Sequence, residues 1–371
     1  MQLKCTYNIP DLPLEIDVET KPVLKAVAAA YRALSDLRRQ AAKVPNQGIL
    51  IDTLTLQEAQ ASTEIENIVT TQDEVFRIGP KTTASLDPRQ KEVANYRDAL
   101  WVGQDGLMKS DGLITNNTII AIFQTLKRNT GGFRSTPGTN LEHMHTKDVV
   151  YVPPQTLVEI KETMGKLELF INNPELSDWD PLVKMAVIHH QFESIHPFPD
   201  GNGRTGRILN VLFLVQQGLL DIPILYLSRY ITVTKPQYYE LLQKVRDEGT
   251  WEEWILYILE GVRATSIETT VLLQGINSLL SQYKIAMRDN HSKIYSHELL
   301  NTLFRHPYTR IDYVVTETGI GRQAAARHLD ELANAGLLQK EKIGRTNYYI
   351  NSKLVDLFYT RPDMLSGKSR A

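Results

Sequence analysis

Apolar residues recur with a helical period over most of the chain. Between Pro22 and about Ala42 they fall at Leu24, Val27, Ala28, Tyr31, Leu34 and Leu37, spacings of three and four that line one side of a helix. Pro45 and Gly48 interrupt that run. A second helix is predicted from about Ile51 to Glu66, with Leu54, Leu56, Ala59 and Ile65 as apolar positions and Asn67 as the left-handed residue that ends it. Residues 70–90 read as a linker and turn carrying Gly79-Pro80 and Asp87-Pro88. Helices follow near 89–102, 116–128, 155–172, 181–195, 203–217, 235–247 and 251–285.

Two stretches depart from this period. Turn-rich residues 129–140 precede the β-prone Val149-Val150-Tyr151-Val152, which stops at Pro153-Pro154, so a hairpin is expected across 133–153. Farther on, Ile311–Val315, Gly319-Ile320-Gly321 and Ala324–Ala335 form a helix–turn–helix pattern. Lys340–Ile350 then reads as two strands turning at Gly344, the order of a winged helix. Residues 1–19, with Pro10 and Pro13, read as extended and the tail 362–371 as loose. The fold class expected is mainly α, in three parts: a helical region over 1–110, a helical core with the hairpin over 111–285, and a small α/β winged helix-turn-helix domain over 286–371.

Charge and composition narrow the function. The 371 residues carry 41 Lys and Arg against 43 Asp and Glu, a net charge of -2, so no global basic field points to nucleic acid or anionic membrane. The one cysteine, Cys5, has no partner for a disulfide within the chain and reads as a free thiol. No apolar stretch is long enough to span a bilayer and the first residues do not read as a signal peptide, so the expected compartment is the cytoplasm, with no membrane partner.

The run HPFPDGNGRTGR, His196 to Arg207, concentrates the chemistry. Gly201-Asn202-Gly203 offers unobstructed backbone N–H groups immediately before an apolar helix, an anion nest at a positive helix end. Arg204 and Arg207, three residues apart, share a helix face and suit a polyphosphate. Asp200 is placed to hold Mg²⁺ beside bound phosphates. His196 is a base that titrates near neutral pH. Phe198, between Pro197 and Pro199, is expected to anchor the loop in the core. His189 and His190 read as packing or surface residues, since their spacing to His196 matches no familiar metal set.

This run matches the Fic family signature, HxFx(D/E)GNGRxxR, at each specified position, and the chain is identified as resembling that family from its N-terminal helices through Trp254. The resemblance implies the Fic helical fold, with ATP as substrate, Mg²⁺ as cofactor, and transfer of AMP to a Tyr, Thr or Ser hydroxyl. It makes His196 the base for the target hydroxyl and Asp200 the Mg²⁺ ligand. Gly201, Asn202 and Gly203 would hold the α- and β-phosphates, Arg204 the β-phosphate and Arg207 the γ-phosphate; Thr205 and Gly206 fall within the same ATP-binding run. An intact Gly-Asn-Gly favours AMP transfer over the phosphate transfer of Doc-like relatives.

Ser62-Thr63-Glu64-Ile65-Glu66-Asn67 resembles the inhibitory helix of self-restrained Fic proteins. The resemblance implies that Glu66, with Ser62 in the same motif, pairs with Arg207 and denies it to the γ-phosphate. Alone, Glu66 reads as one more surface glutamate in the last turn of its helix. The hairpin at 133–153 occupies the place of the family's flap, where an exposed strand edge pairs with a target protein; self-modification is the other acceptor considered. His143 and His145 in that segment read as solvated loop residues. Tyr239, then Tyr238, are favoured for the adenine slot, with core packing the equal alternative for Tyr238 and Tyr230.

The winged helix raises the question of DNA. Arg305–Arg345 holds seven Lys and Arg against five Asp and Glu, weak for a phosphate-reading surface, although Arg322 and Arg327 are suitably placed. A structural or protein-contact role is the favoured expectation. Removal of AMP at the same site, other nucleotidyl transfer, and a DNA-binding regulator that senses nucleotide are the competing readings. The oligomeric state stays open, a homodimer included.

Overall fold

The computed structural model describes residues 7–44, 46–78, 86–142 and 148–359. Cys5, Pro45, Gly79-Pro80, His143, His145 and the tail 362–371 lie outside them. The first long helix, α1 (Lys21–Ala41), is capped by the Thr20 side chain, which accepts from the Val23 N–H. Its buried stripe runs Val23, Val27, Ala30, Leu34, Leu37. Leu24 and Ala28, expected on that stripe, face outward: the face that packs along α11 (Trp251–Asn290) is rotated by one residue at its start.

Helix α2 (Gln47–Ile65) begins four residues before the predicted Ile51, because Asn46 caps it through the Gly48 N–H. It is buried on nearly all sides, so its amphipathic period is faint in the sequence. Its end is a Schellman turn. Asn67 sits at φ 62°, its N–H on the Glu64 carbonyl, and the Ile68 N–H reaches Thr63. A short helix, α3 (Gln72–Phe76), with a Thr71–Glu74 capping box, lies inside the predicted linker.

Next come α4 (Pro88–Lys109) and α5 (Asn116–Lys127), then the strands β1 (Leu141–Glu142) and β2 (Val149–Tyr151). These two pair antiparallel, Leu141 opposite Tyr151 and Glu142 opposite Val149, so the hairpin is shorter than the predicted span. The central helices are α6 (Leu157–Asn172), α7 (Pro181–Ile195), α8 (Asn202–Gln216), α9 (Leu227–Val233) and α10 (Lys235–Glu248). The forty-residue α11 runs straight across position 285.

The C-terminal part comprises α12 (His297–Arg305), β3 (Tyr308–Thr309), α13 (Ile311–Thr318), α14 (Arg322–Asn334), β4 (Gln339–Ile343), β5 (Thr346–Ile350) and α15 (Ser352–Tyr359). Its sheet has the order β3-β5-β4, all antiparallel, with Gly319 and Gly344 at positive φ in the two predicted turns. This part packs on α2 and α3. Arg305 pairs with Asp52 of α2, while the Tyr308 and Tyr359 hydroxyls donate to Asp73 of α3 at 2.7 and 3.0 Å. Phe76 lies between the Tyr308 and Phe358 rings. Among the described residues, no helix is long and apolar enough to cross a membrane.

Candidate functional site

The site is built at the junction of α7 and α8. His196 ends α7 in the left-handed conformation (φ 50°), its N–H on the Phe192 carbonyl at 3.0 Å. Phe198 is fully buried and stacks on Phe123, ring centroids 4.1 Å apart, which anchors the loop as expected. Asn202 then closes the loop on itself: its Oδ1 accepts from the Phe198 N–H at 2.9 Å and its Nδ2 donates to the Phe198 carbonyl at 2.8 Å. The Asn202 side chain is thus a loop clamp, leaving only its backbone for a phosphate. Thr205 likewise turns its hydroxyl back onto the Gly201 carbonyl at 2.9 Å.

Gly201, at φ 81°, opens α8 without a side-chain cap, so the helix start presents bare backbone donors. At Gly203 an added Cβ would lie 2.8 Å from Glu66 Oε1 and 2.9 Å from an Arg207 terminal nitrogen. At Gly206 it would meet Glu193 Oε1 at 2.9 Å and the Phe192 ring at 3.0 Å. Gly206 therefore serves the close packing of α7 on α8.

Each charged residue of the run has a protein partner. Asp200 holds the Lys127 ammonium at 2.6 Å and the Gly201 N–H at 2.6 Å. Burial raises its pKa, but Lys127 outweighs this and holds the carboxyl below its ordinary range. Arg204, 2% exposed, pairs with Glu92 of α4. Arg207, also 2% exposed, donates from Nε to Ser62 Oγ and from one terminal nitrogen to both the Ser62 carbonyl, each at 2.9 Å, and Glu66 Oε1 at 3.0 Å. Burial opposes its charge, but Glu66, with Tyr238, Tyr96 and Glu193, holds the guanidinium more firmly protonated than a free one.

Burial, with Arg246 and Arg134 nearby, pushes His196 down to about 4, so its imidazole is neutral at pH 7. Arg134 braces the loop by donating from its backbone N–H to the Pro197 carbonyl and from Nε to the His196 carbonyl, both at 2.9 Å. Glu193, buried one turn before His196, is raised to about 7 by burial; Arg207 pulls it down and Glu66 pushes it up. The hairpin is tied to the same wall. The Tyr151 hydroxyl donates to the Ser194 carbonyl at 2.9 Å, and Gln243 reaches the Val150 carbonyl at 3.1 Å.

The tyrosines separate. Tyr239 is 42% exposed, and its hydroxyl feels the charges of Glu66, Arg207 and Glu193. Tyr238 is buried, its hydroxyl 2.9 Å from His189 Nε2 and its ring packed on Trp254, so it is a core residue and does not line an open slot. Tyr230 packs in the core against Tyr257 and Gly261. His189 and His190 are packing residues, as expected: burial pushes His189 down to about 3, and His190 Nε2 meets the Leu242 carbonyl. Lys127, Glu92 and Arg246 escaped the sequence reading, because each is a single charge far from the motif with no local pattern to mark it; Arg134 falls in the expected hairpin span, but its contact with the His196 loop was not foreseen. In the C-terminal part, Arg322 pairs with Asp312, Lys340 with Asp330, and Glu331 contacts His291.

Comparison with known proteins gives three family matches: Fic/DOC family N-terminal over residues 24–105, Fic/DOC family over 113–214, and the C-terminal domain of SoFic-like protein adenylyltransferase over 279–354. The first spans Ser62 and Glu66, the second the whole run from His196 to Arg207. A probable protein adenylyltransferase of Aquifex aeolicus is 29% identical over 190 residues, which cover 50% of this chain and 55% of that protein. The protein adenylyltransferase Fic of Aedes aegypti is 30% identical over 115 residues, 31% of this chain and 21% of that one. The chain thus spans about half of the first relative and a fifth of the second. Among solved structures, a Fic family protein from Desulfovibrio desulfuricans aligns with a TM-score of 0.58 at 18% identity, covering 91% of this chain and 97% of that one. Fic-1 of C. elegans aligns with a TM-score of 0.52 at 20% identity, covering 69% and 74%. These two alignments carry the fold.

Proposed function

We propose, from the premise that this chain belongs to the Fic/DOC family, that it is a protein adenylyltransferase restrained by Glu66. The observation that carries the reading is the gathering of a neutral His196, an uncapped α8 start and the two buried arginines, Arg204 and Arg207, around one loop. The target hydroxyl oxygen attacks the α-phosphorus of ATP while His196 takes its proton. The bond from the α-phosphorus to the bridging oxygen breaks, and pyrophosphate leaves. Arg204 and Arg207 neutralise the β- and γ-phosphates, and the N–H groups of Asn202 and Gly203 donate to the remaining oxygens, with the Gly201 N–H joining them once Asp200 releases it.

Asp200 fits a Mg²⁺ ion. It is an exposed carboxylate beside the nest that already carries a cation, the Lys127 ammonium. When bound, the ion supplies neutralisation of the triphosphate.

Restraint follows from geometry. Arg207 commits Nε and one terminal nitrogen to Ser62 and Glu66, and a carboxylate 3.0 Å from that nitrogen repels an incoming γ-phosphate. ATP then enters without its outermost anchor. The partially exposed Tyr239 is the residue for the adenine. The β1–β2 hairpin, braced to α7 and α10, is the surface for a target segment. The C-terminal domain is read as a protein-contact module, since Arg322 and Lys340 are paired with acids of their own domain.

The test is intact-mass analysis after incubation with ATP and Mg²⁺. Addition of one AMP to a Tyr, Thr or Ser in Glu66→Gly protein, absent in the Glu66→Gly/His196→Ala double variant, is the expected result. No AMP addition in Glu66→Gly protein, to itself or to any supplied protein, overturns the reading.

A further inference from the structure

The two arginines of α8 are held in different ways. Arg207 commits its Nε and a terminal nitrogen to Ser62 and Glu66, three acceptors in all. Arg204 gives one terminal nitrogen to Glu92. Its Nε is buried without a partner, and its other terminal nitrogen stands 3.7 Å from Asp200 Oδ2, too far for a hydrogen bond. That uncommitted nitrogen is the one nearest the nest, 3.7 Å from where a Cβ on Gly201 would lie. A guanidinium has five donors in a fixed plane. An acceptor on one corner sets the direction of the rest. Here the corner taken leaves Nε and the nest-side nitrogen without an acceptor.

The supports differ as well. Glu66 is the cap residue of its helix, next to the left-handed Asn67. Glu92 lies in the second turn of the 22-residue α4, which is fixed by the Asp87–Gln90 capping box and packs on both α5 and α8. One carboxylate sits at the end of its helix; the other sits within one.

We propose that Glu92 is a positioning residue: it aims Arg204 at the β-phosphate of the nucleotide, in contrast to Glu66, which withholds Arg207. The proposal rests on the ATP-site reading given above. Glu92 acts through Arg204, so it matters only for nucleotides that reach that arginine.

Calorimetric titration of Glu66→Gly protein with ATP, ADP and AMP in Mg²⁺ tests this. Loss of an oriented charge-assisted contact predicts that adding Glu92→Ala weakens ATP and ADP binding about tenfold or more. AMP, which lacks a β-phosphate, should be unaffected. Glu92→Gln keeps an acceptor for Arg204 and should stay within about threefold of the parent. In an Arg204→Ala background neither Glu92 variant should change ATP affinity. Tighter ATP binding in Glu92→Ala would make Glu92 a second blocking carboxylate and overturn the proposal, as would equal weakening of ATP and AMP. If Glu66→Gly protein binds no ATP at all, the ATP-site reading falls, and this proposal with it.

Discussion

The Glu66 carboxylate meets the Arg207 guanidinium at 3.0 Å, and atoms of both lie within 3 Å of where a Cβ on Gly203 would stand. In the proposed ATP site this pair stands at the entry of the γ-phosphate, so its removal should be felt first in nucleotide use. Glu66→Gly is expected to raise labelling from α-labelled ATP about tenfold or more, the scale of a charge-assisted contact. Ser62→Ala, which removes the Nε acceptor and leaves Glu66 in place, should raise it by a smaller factor. Unchanged labelling in Glu66→Gly would remove Glu66 as the restraint.

Gly203 tests the same spot sterically. A Cβ there overlaps both members of the pair, so Gly203→Ala must displace Glu66, Arg207 or both. It also fills the nest. The expected outcome is that Gly203→Ala does not release activity as Glu66→Gly does, and that the double variant is silent. Labelling in the double variant equal to that of Glu66→Gly alone would show that no phosphate passes over Gly203.

Asn202 makes two hydrogen bonds to the backbone of Phe198 from a buried position. Asn202→Ala leaves a buried N–H and C=O unpaired, a cost of about 1–3 kcal/mol. Chemical denaturation should register that loss, and ATP affinity in the Glu66→Gly background should fall with it. Asn202→Asp, which keeps an acceptor for the Phe198 N–H, should lose less stability.

The neighbouring tyrosines should part company. Tyr238→Ala opens a cavity beneath Trp254 and removes the partner of His189, so a loss of about 3–5 kcal/mol in stability is expected. Tyr239→Ala, at a half-exposed position, should leave the melting temperature within a few degrees and weaken ATP binding instead. Equal effects on both quantities in the two variants would deny Tyr239 the adenine slot.

The pH dependence follows from His196. Its folded-state pKa, about 4, lies below the ordinary 6.5, so the folded chain stays deprotonated there between those values while the unfolded chain takes up a proton. This site's contribution to stability is therefore present above 6.5 and is lost as pH falls toward 4. For catalysis the base remains available across the same window. The acid limb of kcat/KM in Glu66→Gly protein should have its midpoint well below 6.5, measured with buffers that keep the protein folded. A midpoint at 6.5 would place His196 in water.

Much of this arrangement is legible in the sequence because it is local. The order of base, carboxylate, nest and arginines is a contiguous run. The α2 terminus is signalled by Asn67, whose left-handed conformation is observed. What escaped is relational. Tyr238 and Tyr239 are adjacent and alike, and only the packing of α10 on Trp254 decides which ring turns inward. Glu92 and Lys127 reach the motif from other elements, across 112 and 73 residues of chain, and nothing near them in the sequence points there; Arg134, at the start of the expected hairpin, reaches it across 62. The early start of α2 was hidden because burial on all sides erases the periodic signal.

One consequence concerns α2 itself. The same rod that carries Ser62 and Glu66 to Arg207 is gripped near its other end by Arg305 through Asp52. Lock and handle are cut from one piece. Trimming the chain after α11 would strip that grip from the helix and uncover Phe76 beside it, so under the proposed restraint a shortened protein should differ from the full chain in more than the missing part. A count of AMP transferred by such a fragment would then measure a latch altered by the truncation itself.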